Sequence, residues 1–365
     1  NLYDFNDFSV EFSYPKKIVG NPLEKEYLKN FPNFRYRRFN VIIGANSTGK
    51  TTLGQLLNSI FVLLNRKEIS GLIDCINDKN RNSSFEIDIV VKDILYRTKC
   101  VFPSHSDGDN RSNIKLSIRS TPLVKNDSYE TAVKRLEEEK EEYLYYVDAL
   151  EKQMHLGWNF SFPENSLVRY NYNKNDEETY RRLLESILKV FDPSISKVVI
   201  DHHMERGFYI YFNGCENDPL VVEDNRPLSS IRYMSSGTKA AFNITDIIWG
   251  LKKDAFGFYY LDEQFSFVNS EIELALIAHL SGYTNNDDQI FITTHNVDVL
   301  DMDFPVHTFG FLKKTIIEKD KDIIKYINAS EYEKRNTASI KQHYKNDCFS
   351  VLPDLSGVYK LGEIN

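Results

Sequence analysis

A glycine-rich turn near the N-terminus has the spacing of a phosphate-binding loop. It follows the apolar run Phe39–Ile43, fits the pattern GxxxxGK[ST] at every fixed position and opens a segment of helical periodicity. Glycines in such a turn let backbone N–H groups surround phosphate oxygens, and the start of a helix adds positive potential there. We therefore expect the phosphates of ATP to bind at Gly44, Ala45, Asn46, Ser47, Thr48, Gly49, Lys50, Thr51 and Thr52.

Two adjacent carboxylates have the types and position needed to cleave a phosphate bond. The apolar run 258–261 ends in Asp262 and Glu263, so a buried strand would deliver both to the carboxyl edge of a sheet. Lys50 is expected to reach the β- and γ-phosphates, and Thr51 and Asp262 to bind Mg²⁺. Glu263 would then act as the general base on the attacking water.

A histidine follows a further apolar run in the same way. Residues 290–293 are apolar or β-branched, and His295 comes at the polar end of the run. About 30 residues separate His295 from Glu263, which leaves room for one helix and one strand. We expect His295 to emerge on the neighbouring strand as a catalytic residue that senses the γ-phosphate.

Another predicted helix begins with small polar residues. Ser235, Ser236 and Gly237 precede it, about 25 residues before the Asp-Glu pair. The start of a helix with such residues is an anion site. Because the phosphate-binding loop already has its own helix, this second site is expected to contact the γ-phosphate of ATP bound by a second copy of the chain.

Alternating strands and helices must position these motifs, as in an α/β fold. We predict strands at 8–12 and Phe39–Ile43, a helix at 50–64, antiparallel strands over 84–101 and a polar loop over 103–128. Later in the chain we predict strands at 198–200, 208–211, 256–261 and 289–293, and helices at 238–251 and 270–280.

Residues 128–155 show a different pattern, with apolar residues at helical spacing among Glu and Lys. This predicts one long amphipathic helix of about 40 Å at 1.5 Å per residue. It could pair with a second helix at 176–190 to form a stalk. The alternative is a helix that lies flat on the body of the protein.

The predicted fold class is α/β, an ABC-type ATPase head with a two-lobed mixed sheet and an inserted helical stalk. Residues 1–102 would form the N-terminal part of the head, and 103–190 the inserted loop and stalk. Residues 191–312 would complete the head with the carboxylate pair and His295. The tail, 313–365, is expected to contact a partner.

Composition narrows the function classes. Hydrophobic residues make up 41% of the chain and aromatic residues 13%, which argues against general disorder. The net charge is −8, so contact with DNA would need a local basic patch. The compact candidate is 35–38, Arg-Tyr-Arg-Arg, which is equally consistent with a solvated strand entry.

Targeting and redox features favour the cytoplasm. The four cysteines lie far apart without a CxxC pair, as in proteins of a reducing compartment. No apolar run approaches the roughly 18 residues that span a membrane, and the N-terminus shows no signal-peptide pattern. We therefore expect a soluble, cytoplasmic protein. Because the chain starts at Asn1, we also expect a few preceding residues to be absent.

The order and spacing of these motifs resemble ABC/SMC-type ATPases of bacterial anti-phage defence. The resemblance rests on the phosphate-binding loop, Ser-Ser-Gly-Thr-Lys at 235–239, Leu-Asp-Glu at 261–263 and Thr-Thr-His-Asn at 293–296. The chain is similar to ATPase subunits that pair with Toprim-type nucleases, such as AriA of the PARIS system, and to abortive-infection L-type ATPases. The resemblance covers 38–65 and 190–300, and extends weakly to 341–344 and 352–353.

The resemblance implies a function and partners. Two heads would sandwich two ATP molecules, each between the phosphate-binding loop of one copy and Ser235 and Gly237 of the other, with Mg²⁺. The chain would be an ATPase subunit that uses this association to sense infection, through a phage-encoded trigger, and to hold or release a separate effector, a Toprim-type nuclease. The chain departs from the family pattern at 264–269, which puts communication between the two sites, or the speed of turnover, in doubt.

Two other functions fit the same motifs. One is an SMC/RecF-like DNA-repair clamp, which would show DNA-stimulated ATPase activity. The other is a nucleotide-locked scaffold with little turnover. The acidic composition and the short predicted stalk favour the defence ATPase over the clamp. Two further clusters are interpreted as structural rather than as metal sites. In 201–203 the adjacent histidines would point to opposite faces of a strand. Upstream of 301–303 the residues are already used by the ATPase motifs.

Overall fold

The structure is a computed structural model that describes residues 1–14, 23, 26–104, 114–145, 157–162, 173–204, 206–215, 217–223, 226–227, 235–316, 322–333, 339–353 and 356–361. Its strands are β1 (Tyr27–Leu28), β2 (Phe31–Arg35), β3 (Phe39–Ile43), β4 (Ser83–Val91), β5 (Ile94–Phe102), β6 (Lys115–Pro122), β7 (Glu142–Tyr145), β8 (Trp158–Ser161), β9 (Ile195–Asp201), β10 (Gly207–Phe212), β11 (Leu220–Glu223), β12 (Arg226–Pro227), β13 (Phe258–Asp262), β14 (Gln289–Thr294), β15 (Phe309–Ile316) and β16 (Asp322–Asn328).

The helices connect these strands. They are α1 (Lys50–Arg66), α2 (Ser70–Asp74), α3 (Tyr129–Glu138), α4 (Glu177–Phe191), α5 (Ser236–Lys252), α6 (Ser270–Tyr283), α7 (Ala329–Tyr332), α8 (Ile340–Lys345) and α9 (Ser356–Lys360), with 3-10 turns at Lys174–Asp176, Val297–Asp301 and Val306–Thr308. The chain divides into two compact units. Unit 1 comprises Asn1–Leu156 and Gln289–Asn365, and unit 2 comprises Gly157–Asp288.

Unit 1 contains a mixed sheet centred on β3. β14 and β15 pair with β3 in parallel, and β16 pairs with β15 antiparallel. Every residue of β3 is buried, as is typical of parallel strands covered on both faces. The predicted strand Phe39–Ile43, the helix after it and the strand at 289–293 are thus confirmed.

A second, antiparallel sheet in unit 1 has the order β4-β5-β6-β7. The β4–β5 hairpin turns at Lys92 and Asp93, with φ values of 48° and 63°. Two positive φ angles define the hairpin turn whose twist matches that of the strands it joins. Helix α3 packs on this sheet through an apolar cluster that includes Leu95, Ala132 and Leu136.

Three predictions for unit 1 are wrong. Residues 8–12 form no strand; the backbone joins the sheet region through an isolated bridge between Ser13 and Tyr36. The predicted loop 103–128 contains β6. The single helix over 128–155 ends at Glu138, and β7 follows; residues 146–156 lie outside the described part of the chain. Five glutamates between 137 and 142 oppose a helix here, because negative charge at its C-terminus is unfavourable.

Unit 2 has its own strands and helices. β8 and β13 pair in parallel, and β9 to β12 form an antiparallel sheet against which α4 packs. Helix α4 also packs on α5, where Tyr180 Oη donates to Asp246 Oδ1 at 2.6 Å. The strands and helices predicted from 195 onwards are confirmed. β8, however, lies within the stretch 103–190 predicted as an insertion.

Among the described helices, none combines the length and the apolar character required to cross a membrane.

Candidate nucleotide site

The phosphate-binding loop has left-handed backbone at two positions, one of them a glycine. Ser47 and Gly49 have φ values of 61° and 100°, in the left-handed region. Such residues among right-handed neighbours turn successive N–H groups towards one side. Helix α1 begins at Lys50, and Gly49 supplies no side chain to cap its first N–H groups. A phosphate fits here because the start of a helix carries positive potential.

Close packing holds the entrance of the loop. A Cβ at Gly44 would lie 2.5 Å from Thr48 Oγ1 and 3.1 Å from the Leu312 carbonyl oxygen, so only glycine fits without a shift. Thr48 Oγ1 donates to the Ala45 carbonyl oxygen at 2.9 Å. Asn46, Ser47 and Thr51 are exposed, whereas Thr52 is half-buried.

Lys50 and His295 meet in unit 1. The Nζ atom of Lys50, a residue that is 4% exposed, donates to the carbonyl oxygens of Gly44 at 2.8 Å and Ala45 at 3.2 Å. It lies 3.4 Å from His295 Nε2. The register explains this contact: Thr294 is opposite Ile43 in the parallel pair β14–β3, so the next residue of each strand emerges at the same edge. His295 thus follows a strand that pairs with β3 and lies beside Lys50; its catalytic role stays a prediction.

The two carboxylates lie in unit 2, at the carboxyl end of β13. Asp262 is 1% exposed and ends the strand, while Glu263 is half-buried. Glu263 has a φ of 48°, an angle that side chains with a Cβ rarely adopt. Nothing in the sequence indicated this conformation, and the sequence also left the neighbouring side chains of Gln264 and Ser266 without a role.

Ser235 is the N-cap of α5. Its Oγ accepts a hydrogen bond from the Thr238 backbone N–H at 3.0 Å, and it lies 2.8 Å from Thr238 Oγ1. A cap of this kind stabilises the helix start by about 1 kcal/mol. A Cβ at Gly237 would lie 3.5 Å from the Phe267 carbonyl oxygen, an ordinary contact, so the helix start packs against the loop after Glu263. Ser236 is the first residue of α5.

The predicted site residues thus fall into two groups. Unit 1 holds the phosphate-binding loop and His295; unit 2 holds Asp262, Glu263 and the start of α5. The assignments of Thr51 and Asp262 to Mg²⁺, of Glu263 to catalysis and of Ser235 to a second copy remain predictions.

The other polar clusters have structural partners. Lys341 Nζ donates to Asp301 at 2.6 Å and to Asp298 at 2.8 Å, tying α8 to the 3-10 turn Val297–Asp301. Asp201 ends β9 and accepts from the His203 backbone N–H at 2.8 Å. In the described part of the chain, no three His, Cys, Asp or Glu residues group closely enough to hold a metal ion.

Three solved structures can be compared with this chain. The chain is similar to an Smc head bound to the C-winged-helix domain of ScpA (14% identity, 82% of this chain and 94% of that chain, TM-score 0.43). It is also similar to the SMC head domain of Thermotoga maritima (14%, 83% and 97%, 0.34). A third is the Smc head with an extended coiled coil bound to the C-terminal domain of ScpA, from Pyrococcus furiosus (11%, 83% and 93%, 0.41). These TM-scores lie below 0.5, so the family assignment rests on sequence.

No curated protein matches the chain. A family model does match, over residues 39–303, which include the phosphate-binding loop, the Asp-Glu pair and His295. Its description reads "AAA domain, putative AbiEii toxin, Type IV TA system". The match spans well over half of the 365 residues. The chain therefore belongs to this AAA_21 family of P-loop ATPase domains.

Proposed function

We propose that this protein is an ATP-hydrolysing subunit of an anti-phage defence system, related in type to the PARIS and abortive-infection ATPases. The observation that carries the proposal is the arrangement in unit 1, where the buried Lys50 lies under a phosphate-binding loop and 3.4 Å from His295 Nε2. A buried ammonium beside the N-terminus of a helix suits the triphosphate of a nucleotide. An imidazole at the same edge suits contact with its terminal phosphate.

In the proposed reaction Glu263 accepts a proton from the attacking water. The water oxygen forms a bond to the γ-phosphorus while the bond to the β–γ bridging oxygen breaks, which gives ADP and phosphate. Lys50 neutralises charge on the phosphates, and His295 hydrogen-bonds the γ-phosphate. Mg²⁺, when bound by Thr51 and Asp262, supplies further charge neutralisation.

The test of this site is Glu263→Gln, which keeps the shape of the side chain and removes the base. ATP binding should persist, while hydrolysis falls by about 10² or more. Lys50→Ala is the reference for lost binding, since backbone groups alone do not neutralise the phosphates. Near wild-type turnover by Glu263→Gln would remove Glu263 from catalysis, and unchanged ATP affinity of Lys50→Ala would remove the loop from binding.

The proposed output is the holding or release of an effector, of the Toprim nuclease class, in response to a phage-encoded trigger. The family description, which names a toxin of a type IV toxin–antitoxin system, supports a defence role. Two features disfavour a DNA clamp: the net charge is −8, and Arg38 of the basic cluster is buried at 6% exposure.

Purification from the native operon tests this output. An effector should accompany the chain, and Glu263→Gln, which binds ATP without cleaving it, should retain the effector when infection is mimicked. Purification of the chain alone, with an ATPase rate that rises on adding DNA, would instead establish the clamp.

A further inference from the structure

The backbone at Glu263 is held in an unfavourable conformation by its neighbours. For a residue with a Cβ, a φ of 48° costs free energy, so it persists only where surrounding contacts impose it. The residues on either side are well anchored: Asp262, Gln264 and Phe265 are at most 2% exposed, whereas Glu263 itself is half-buried.

Two side chains fix the peptide planes that flank Glu263. Gln264 Nε2 donates to the Asp262 carbonyl oxygen at 3.1 Å, which holds the plane before the Glu263 Cα. Ser266 donates twice to the Glu263 carbonyl oxygen, from Oγ at 2.9 Å and from the backbone N–H at 3.2 Å, which holds the plane after it. The φ and ψ of Glu263 are the rotations between these two planes, and they set the direction of its Cα–Cβ bond.

The loop after Ser266 keeps this arrangement in place. The Val268 N–H donates to the Phe265 carbonyl oxygen at 3.2 Å, and Asn269 caps α6 by accepting from the Ile272 N–H at 2.9 Å. The segment 264–269 therefore joins β13 to α6 through consecutive turns with the buried Phe265 as anchor. It is also the segment in which the sequence departs from the expected family pattern.

We propose that Gln264 and Ser266 are positioning residues that aim the Glu263 carboxylate at the attacking water. The inference rests on the proposed role of Glu263 as general base. It assigns a function to two side chains of the segment 264–269, the amide of Gln264 and the hydroxyl of Ser266. Because proton transfer depends on hydrogen-bond geometry, loss of either contact should slow catalysis rather than weaken ATP binding.

The variants for the test are Ser266→Ala and Gln264→Met, which remove a donor with little change in size. Each should lower kcat by about tenfold, the factor that corresponds to about 1.4 kcal/mol, and leave KM for ATP unchanged. Ser266→Thr retains a hydroxyl and should restore kcat. The matched control is Ser281→Ala: the hydroxyl of Ser281, a half-buried residue, also donates to a backbone carbonyl, that of Ala278 at 2.8 Å, but within α6. It should keep the wild-type kcat.

A double variant separates positioning from general loop stability. In a Glu263→Gln background, Ser266→Ala should cause no further loss, because the group that it positions is absent. An equal tenfold loss in both backgrounds, or a wild-type kcat for both single variants, would overturn the positioning role. If Glu263→Gln hydrolyses ATP at the wild-type rate, the proposed role of Glu263 as general base is wrong. This result does not depend on any Ser266 variant, so it distinguishes failure of the base from failure of the positioning role.

Discussion

At the entrance of the phosphate-binding loop, the fit of a single residue decides whether the loop can form. Gly44→Ala places a methyl group 2.5 Å from Thr48 Oγ1, so Thr48 and the loop must shift. We expect a large loss of ATP affinity, measured by calorimetry. Gly282→Ala is the control, because a Cβ there meets nothing within 4 Å; it should stabilise α6 by up to about 1 kcal/mol. Equal ATP affinity in both variants would contradict the packing argument.

A buried carboxylate beneath α3 makes part of the stability depend on pH. Asp127 accepts from both terminal nitrogens of Arg135 and from the Val124 N–H. Burial alone would raise its pKa, but these hydrogen bonds outweigh burial and lower the pKa from its ordinary 3.8. Because the pKa of Asp127 is lower in the folded state, its carboxylate contributes fully to the free energy of unfolding above pH 3.8. This contribution is lost as the pH falls through the pKa of the folded state.

Asp127→Asn should therefore reduce the free energy of unfolding by about 2 kcal/mol at neutral pH. The difference from wild type should narrow in the acid range below 3.8, as the wild-type carboxyl protonates. Denaturant unfolding across pH measures both. Glu130→Gln, an exposed carboxylate in the first turn of α3, is the control and should cost little. A pH-independent difference would show that Asp127 acts through shape alone.

At the scale of elements, the end of α3 distinguishes the observed fold from one long helix. Glu139 is extended, with φ −71° and ψ 147°, which is the conformation that a residue before proline requires. Lys140→Pro should therefore change the free energy of unfolding little. Lys134→Pro, at an exposed position inside α3, should cost about 3 kcal/mol or more. If both proline variants lost the same free energy of unfolding in urea, the result would support a continuous helix over 128–155 instead.

At the scale of the whole molecule, the proposed sandwich predicts complementation between two inactive variants. Ser235→Asp keeps an N-cap for α5 and places a negative charge where the γ-phosphate of a second copy is proposed to lie. Lys50→Ala disables the phosphate-binding loop. Mixing the two should recover about a quarter of the wild-type ATPase rate, because half of randomly formed symmetric dimers are mixed and each has one complete site.

The control for charge is Ser128→Asp, the same change at the N-cap of α3, which should remain active alone. Failure to recover any activity on mixing, with both variants folded, would rule out composite sites. If Ser235→Asp alone hydrolysed ATP at the wild-type rate, Ser235 would only cap α5 and would not contact the ATP of a second copy.

The sequence by itself determined the features that depend on local chemistry. The loop 44–51 could be predicted because its glycines permit left-handed backbone, as at Gly49, and because Lys50 starts a helix of clear periodicity. β3, β13 and β14 could be predicted because continuous apolar runs of this length form buried strands.

Tertiary structure decided what depends on pairing between distant segments. His295 lies beside Lys50 because β14 pairs with β3 in one register, and no local pattern specifies that register. β7 forms where helical spacing continues, because pairing with β6 satisfies its backbone groups, while the glutamates over 137–142 oppose a longer helix. The left-handed φ of Glu263 is accompanied by hydrogen bonds from Gln264 and Ser266 to the adjoining peptide planes, and a glutamate in sequence gives no sign of it.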